Sequence, residues 1–320
     1  MRIAFLIFPL VFFGCGKRAV PDTVRFTAVE IGAQVSTESD PEEASARARA
    51  ARIASGLDNR RLAAQVIVSG IDGREHLTGA MRVLLEECPP GGIMLFRYNL
   101  NTSNEKIQNL IGETSALISA QTVFPGSDGS GEIFSGIPPF AAVDHEGGSV
   151  SRFMPGIAVL PPAASYWELA QSAGQEQAAA QIEADSFRAG LEIKDLGINV
   201  NFAPVAETLS GENREFLDDR SFGPDPAFTA RASAAFIRGM ERAGLLCVAK
   251  HFPGSAGPDP HRFPSVMDCG LDDLAALTAP FAEQIQKGHC RALMAAHTLV
   301  PAIDASNIAS CSAAVMNDWL

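Results

Sequence analysis

The chain is short of the features that mark nucleic-acid binding, thiolate metal sites and membrane spans. It carries 25 Lys and Arg against 37 Asp and Glu in 320 residues, a formal net charge of -12, with no basic stripe. Such a surface repels a phosphate backbone, which argues against nucleic acid as the partner. There are six cysteines and no Cys-x-x-Cys pair, which argues against a thiolate zinc site. With Cys15 set aside, five remain: Cys88, Cys247, Cys269, Cys290 and Cys311. An odd number cannot be fully paired within one chain, so no disulfide framework is required. Cys247 lies in an apolar stretch and reads as a small core residue. The apolar segment from Ile3 to Phe13 is too short to cross a bilayer. What is abundant is apolar surface: 47% of residues are hydrophobic, enough for a large core in one large domain or two small ones.

The first residues read as an address rather than as part of the fold. Arg2 precedes the apolar run and Gly14-Cys15 follows it, the pattern of a secretory signal over residues 1–15. A Cys after a small residue is similar to a bacterial lipoprotein signal, with Cys15 as the lipidated residue. Phe12 and Phe13 depart from the usual lipobox, so simple secretion or an uncleaved anchor stays open. The expectation is a lipoprotein of the cell envelope, tethered to a membrane outside the cytoplasm. Residues 16–60 lack a strong apolar period and read as a tether, with a helix across Pro41 to Gly56.

From about residue 61 to 320, apolar runs alternate with helical periods. The strand candidates are Gln65–Gly70, Gly92–Phe96, Phe140–Asp144, Ile198–Val205, Leu245–His251 and Arg291–His297. Between them, Ile182, Ala189, Ile193 and Leu196 share one helix face. Phe228, Ala232, Phe236 and Met240 share another, as do Leu277, Phe281 and Ile285. Buried strands alternating with amphipathic helices imply a parallel sheet. Polar residues at many strand ends favour a (β/α)8 TIM-barrel type over an open sheet. About six of the eight βα units are visible, so the barrel reads as incomplete at the C-terminus. Residues 122–138, rich in Gly, Ser and Pro, read as a loop, and the last residues as part of a helix.

The chemistry concentrates at those strand ends. Lys250-His251-Phe252-Pro253-Gly254, followed by Asp259-Pro260-His261, brings a cation, two imidazoles and a carboxylate into twelve residues. An Asp two residues from a His can hold one ring nitrogen and leave the other to move a proton. Val143-Asp144-His145-Glu146-Gly147-Gly148, with Arg152 after it, lets carboxylates approach a ligand; they suit sugar hydroxyls, which they accept from. Taken singly, Asp144 and Glu146 read better as a solvated turn. Asn199 and Asn201 read as core amides that hold a network. Arg220, in Arg220-Ser221-Phe222-Gly223, either clamps a ligand or pairs at the surface with Asp218 or Asp219. His297 reads as a structural histidine.

In order and content these motifs resemble glycoside hydrolase family 3, in its β-N-acetylglucosaminidase (NagZ-like) subgroup. The resemblance runs from about Leu62 to Leu320 and includes Gly91 through Phe96, Asn99, Asp144 through Arg152, Asn199 through Val205, Arg220 through Gly223, Lys250 through Gly254, Asp259 through His261, and His297. It implies a barrel that removes terminal N-acetylglucosamine with retention, through a covalent glycosyl-enzyme, from peptidoglycan-derived oligosaccharides or muropeptides. Carried over by motif, Asp144, Arg152, Arg220, Lys250 and His251 bind the sugar. His261 is the general acid/base and Asp259 its orienting partner; no cofactor and no metal are implied. Three departures stand out. Ser255, Ala256 and Pro260 differ from the residues common in the family. Glu207 stands where the family often has Asp and reads as a structural change. The family's nucleophilic Asp, on a seventh strand, lies beyond Leu320, and neither Asp304 nor Asp318 stands in its motif. The expectation is little or no hydrolysis by these 320 residues alone. A β-glucosidase-like exo-glycosidase and an inactive sugar-binding lipoprotein are the alternatives.

Overall fold

The short apolar runs fold as parallel strands because both of their faces are covered. In the computed structural model, which describes residues 41–125, 133, 134 and 136–320, five of them form one sheet in chain order. These are β1 (Val68–Gly70), β2 (Gly92–Leu95), β3 (Phe140–Val143), β4 (Val200–Asn201) and β5 (Leu246–Cys247), each parallel to the next. One residue later the extended segment resumes as β6 (Ala249–Phe252). A short strand, β7 (Ser265–Val266), follows, and then β8 (Leu293–Ala295), which pairs in parallel with β6. A bridge between Val205 and Lys250 carries the ladder from the β4 segment to β6. Strand order that equals chain order is the wall of a (β/α) barrel; an open doubly wound sheet would reverse at a switch point.

Side-chain alternation separates two cores. Ile93, Leu95, Ala141 and Val143 point outward and join the helices in the main apolar cluster. Val68, Met94, Ala142, Val200, Val248 and Ala292, from or beside each of the six strand segments, form a separate inner cluster with Phe202. Inner layers built from successive strands are how small barrels fill their interior. With both faces apolar, each strand reads as a continuous hydrophobic run.

Helices fill the connections: α1 (Pro41–Gly56) and α2 (Asn59–Ala64) precede the sheet, then α3 (Gly79–Glu87), α4 (Asn104–Ala120), α5 (Ala163–Ala173), α6 (Gln175–Asp195), α7 (Pro226–Arg242) and α8 (Leu271–Gln286). Asp225 caps α7 by accepting from the Ala227 amide at 3.0 Å, and Pro226 opens the helix. Phe228 of α7 is fully buried, and truncating such a ring to Ala costs about 3–5 kcal/mol. Gly239 lets α7 lie against α6: a Cβ there would sit 2.5 Å from the Glu183 carbonyl oxygen.

Several boundaries differ from the sequence reading. Gln65 is not strand but the C-cap of α2, its amide bonded to Arg61 and Leu62 carbonyls. Only Val200–Asn201 of the Ile198–Val205 run forms named strand, since Pro204 brings no amide hydrogen to the ladder. The 122–138 segment, read as a loop, contains an antiparallel pairing of Phe124–Pro125 with Ile133–Phe134. After β8 comes an unforeseen hairpin of β9 (Thr298–Val300) and β10 (Asp304–Ile308), with β9 also parallel to β7. The helix expected over Pro41–Gly56 is α1, and the chain's last residues form a helical turn over Ala314–Trp319. The signal segment, Cys15 and residues 16–40 of the tether lie outside the described residues. Among the described residues no helix is long and apolar enough to cross a membrane.

Candidate active site

Three strands deliver charge to one place. Asp144 follows the last residue of β3, Lys250 and His251 lie within β6, and Glu207 follows the β4 segment. The ladder slips here: Met294 pairs with Lys250 but Ala295 with Phe252, which makes His251 the bulged residue. A bulge beside a site re-aims a side chain that regular alternation would send elsewhere.

Lys250 is the hub. Its side chain is 2% exposed, and its ammonium donates to Asp144 Oδ1 and lies 2.5 Å from Glu146 Oε1. Asp144 Oδ2 also accepts from Arg152 Nη2 at 3.0 Å. Glu146 takes a two-pronged grip from Arg220, Nε to Oε2 at 2.8 Å and Nη2 to Oε1 at 2.9 Å. Burial pushes the Asp144 carboxyl up, but the charges and hydrogen bonds of Lys250 and Arg152 overcome it and hold the group at about 2. Burial opposes Glu146 ionisation in the same way, and Lys250 and Arg220 again win, leaving its carboxyl below its ordinary range. Arg220 is desolvated too, yet its bond to Glu146 raises it. The result is two carboxylates and three basic side chains packed into one network.

The turn that carries Asp144 and Glu146 is braced from below. Asn201 exchanges two hydrogen bonds with the His145 backbone, at 3.0 and 2.9 Å, and Asn199 Oδ1 accepts from the Ala141 amide at 2.9 Å. These are the network amides expected. His145 is fully buried; its Nε2 contacts the Ala158 carbonyl at 2.7 Å, and burial lowers its pKa. Gly148 has φ +51, and a Cβ on it would lie 2.7 Å from Asp219 Oδ2.

A second cluster adjoins the first. His251 Nδ1 lies 2.6 Å from Glu207 Oε1, and Ser255 Oγ donates to Glu207 Oε2 at 2.6 Å. The buried carboxylate thus fixes the proton on His251 Nδ1 and leaves Nε2 for a ligand. On the following loop, His261 Nδ1 lies 2.7 Å from Asp259 Oδ1, and the His261 amide bonds the same oxygen at 2.9 Å. Those two bonds hold the Asp259 carboxyl below its usual range. This pair is exposed, and its link to the strand-end cluster is the Phe216 ring.

The structure therefore brings Asp144, Arg152, Arg220 and Lys250 into one network and sets His251 beside it. His261 and Asp259 stand apart on their loop. The solvated-turn reading of Asp144 and Glu146 fails, because the Lys250 ammonium and the bidentate Arg220 bury Glu146. Arg220 pairs with neither Asp218 nor Asp219; Asp219 instead accepts from the Ser149 amide and hydroxyl. Glu207, read as a structural change, is a buried partner of His251. His297, read as structural, is exposed and bonds Ser310 Oγ at 2.8 Å. Asp304 spends its carboxylate on Ser312, Ser306 and Asn307, which hold it at about 2, the work of a turn and not of a nucleophile. Cys290 is buried, which pushes its thiol up to about 11, and Cys247 rises for the same reason. Both are packing groups. Among the described residues no three His, Cys, Asp or Glu side chains gather as a metal site.

The chain is similar to known proteins. The model of the glycosyl hydrolase family 3 N-terminal domain matches residues 79–320. A beta-hexosaminidase of Methylococcus capsulatus is 38% identical over 167 residues, 51% of this chain and 48% of that protein. A solved glycoside hydrolase family 3 beta-N-acetylglucosaminidase from Paenibacillus superposes with a TM-score of 0.71 at 28% identity, covering 82% of this chain and 46% of that one. NagZ from Neisseria gonorrhoeae in complex with N-trifluoroacetyl-D-glucosamine gives 0.67 at 27% identity, covering 78% and 68%. The chain spans about half to two thirds of the length of the curated relatives it matches. Five parallel strands in chain order with a further parallel pair after them, charge at the strands' C-terminal ends and the family match together place the chain in glycosyl hydrolase family 3, as a bearer of its N-terminal domain.

Proposed function

We propose that this chain binds a terminal β-linked N-acetylglucosamine and supplies the acid/base half of its retaining hydrolysis. The observation that carries the reading is the Asp144–Lys250–Glu146–Arg220 network at the strand ends, together with a His261–Asp259 pair on a following loop whose imidazole has one nitrogen held. Carboxylates accept from sugar hydroxyls, while Lys250, Arg152 and Arg220 donate. With Nδ1 on Asp259, His261 Nε2 gives its proton to the glycosidic oxygen as the bond to the anomeric carbon breaks. A carboxylate of the family's nucleophile type forms the glycosyl ester. His261 Nε2 then takes a proton from the water that cleaves that ester, which restores both groups. None of the described carboxylates is assigned the nucleophile's role.

Binding and turnover are tested separately. Calorimetry should show N-acetylglucosamine bound by the chain and Asp144→Asn weakening it by about ten- to a hundredfold, the worth of charge-assisted hydrogen bonds. A chain with no affinity for the sugar refutes the reading. In a chain that carries the family's nucleophile, affinity without release of nitrophenol from a nitrophenyl N-acetyl-β-glucosaminide favours the sugar-binding alternative, and preference for a β-glucoside favours the β-glucosidase-like one.

The Arg2-to-Cys15 segment supports an envelope location and, with it, peptidoglycan-derived sugars or muropeptides as the substrate. Membrane-fraction palmitate labelling that survives Cys15→Ser would refute the lipid anchor.

A further inference from the structure

The His261–Asp259 pair has no anchor among the strand ends. It rides on a loop, and the His261 side chain is 79% exposed. General acid/base work needs that imidazole held within reach of the sugar. The residue that seats it is Phe216, on the short helix Arg214–Leu217. One ring meets three members of the site. The guanidinium carbon of Arg220 lies 4.8 Å from its centroid. The His251 ring lies at 5.8 Å, tilted 49°, and the His261 ring at 6.4 Å, tilted 55°.

The plate is itself fixed. Leu217 is fully buried. The buried Asn213 side chain accepts from the Ser210 amide at 2.7 Å and donates to the Thr208 carbonyl at 3.0 Å. A second contact pins the loop to the same segment: the Gly257 amide donates to the Glu212 carbonyl at 2.7 Å. Gly257 has φ +79, a conformation that suits glycine and brings its amide to that carbonyl. The loop is therefore held at Glu212 through its backbone and at Phe216 through the His261 ring.

We propose that Phe216 is a positioning residue for His261, docking the acid/base loop against the sugar-holding Arg220 and His251. The proposal rests on the reading of His261 as general acid/base given above. An aromatic contact of this kind shifts a docking equilibrium by about two- to tenfold. Turnover should fall with the docked fraction when the ring is lost, by at most the same factor, because only the docked loop presents the imidazole.

The test is amide exchange by NMR on the 320-residue chain, which reads the loop without requiring turnover. In Phe216→Leu the Gly257 amide should exchange about two- to tenfold faster, and the His261 ring protons should lose their ring-current displacement. The amides of Phe216 and Leu217, which bond the Asn213 carbonyl at 3.1 and 2.9 Å, should not change. Phe216→Tyr should restore the native rate. If the leucine variant does not fold, Phe216→Met carries the same test. An unchanged Gly257 rate overturns the proposal. So does an equal rise at Phe216 and Leu217, which would mean that the short helix has melted. A chain that binds no N-acetylglucosamine yet shows the loop effect sinks the hydrolase reading and supports the docking. A chain that binds the sugar with the loop unmoved sinks the docking alone.

Discussion

Replacing Lys250 by Met tests whether one buried ammonium organises the site. Met keeps the length and an apolar stem, so cavity formation contributes little. What is removed is the cation that Asp144 and Glu146 share, in a side chain only 2% exposed. Deleting one partner of a buried ion pair costs about 3–5 kcal/mol, because the other charge is left desolvated. Here each carboxylate keeps a second partner, Arg152 at 3.0 Å for Asp144 and Arg220 at 2.8 and 2.9 Å for Glu146. The expected loss is therefore at the lower end, about 3 kcal/mol near neutral pH. The acid dependence supplies a second magnitude. Asp144 is held at about 2, below its ordinary 3.8. A carboxyl lowered by folding contributes stability that is fully present above the unfolded value and is lost as pH falls from 3.8 toward 2. At about 1.4 kcal/mol per pH unit, that contribution is about 2 to 3 kcal/mol, to which Lys250 and Arg152 both contribute. Urea unfolding of wild type and Lys250→Met at about pH 7 and at about pH 2 should show the difference between them shrink as Asp144 protonates. A difference below about 1 kcal/mol at neutral pH, or one that does not shrink in acid, would refute the shared-cation account.

Three further outcomes follow from the geometry. Gly148→Ala forces a side chain onto φ +51 and into Asp219 Oδ2 and Pro162, so it should cost about 1–3 kcal/mol in thermal unfolding; a neutral result would mean that the turn relaxes freely. Glu207→Asp and Ser255→Ala should be non-additive by about 0.5–3 kcal/mol, since the side chains touch at 2.6 Å; strict additivity would mean that the contact carries no energy. His261→Ala, at an exposed position, should leave stability within about 0.5 kcal/mol and N-acetylglucosamine affinity largely intact. In a catalytically complete enzyme it should lower turnover by about a hundred- to ten-thousandfold. An equal loss of sugar affinity would make His261 a binding residue.

The strands were legible because barrel burial is two-sided. Gly92–Phe96 and Phe140–Asp144 show continuous apolar runs, and the structure extends β2 and β3 over nearly all of both. The Thr298–Ile308 hairpin was not, because its strand Asp304–Ile308 carries a polar and partly exposed face with no apolar period to read. The individual site residues were legible through their motifs, but their pairings were not. Lys250 meets Asp144 across 106 residues and Arg220 meets Glu146 across 74, separations that only strand register closes. That is why Glu146, in the same turn as Asp144, looked like a solvated acid until its two cations were in place. The same reasoning changes how the departures are read. Glu207 and Ser255 each look like a lapse from the family pattern when taken singly, 48 residues apart. In space the Glu207 carboxylate lies between the Ser255 hydroxyl and His251 Nδ1, so the two residues satisfy one another. A residue that departs from a pattern has to be judged with the neighbour that accepts its hydrogen bond, and that neighbour becomes visible only once the β4 and β6 segments lie side by side.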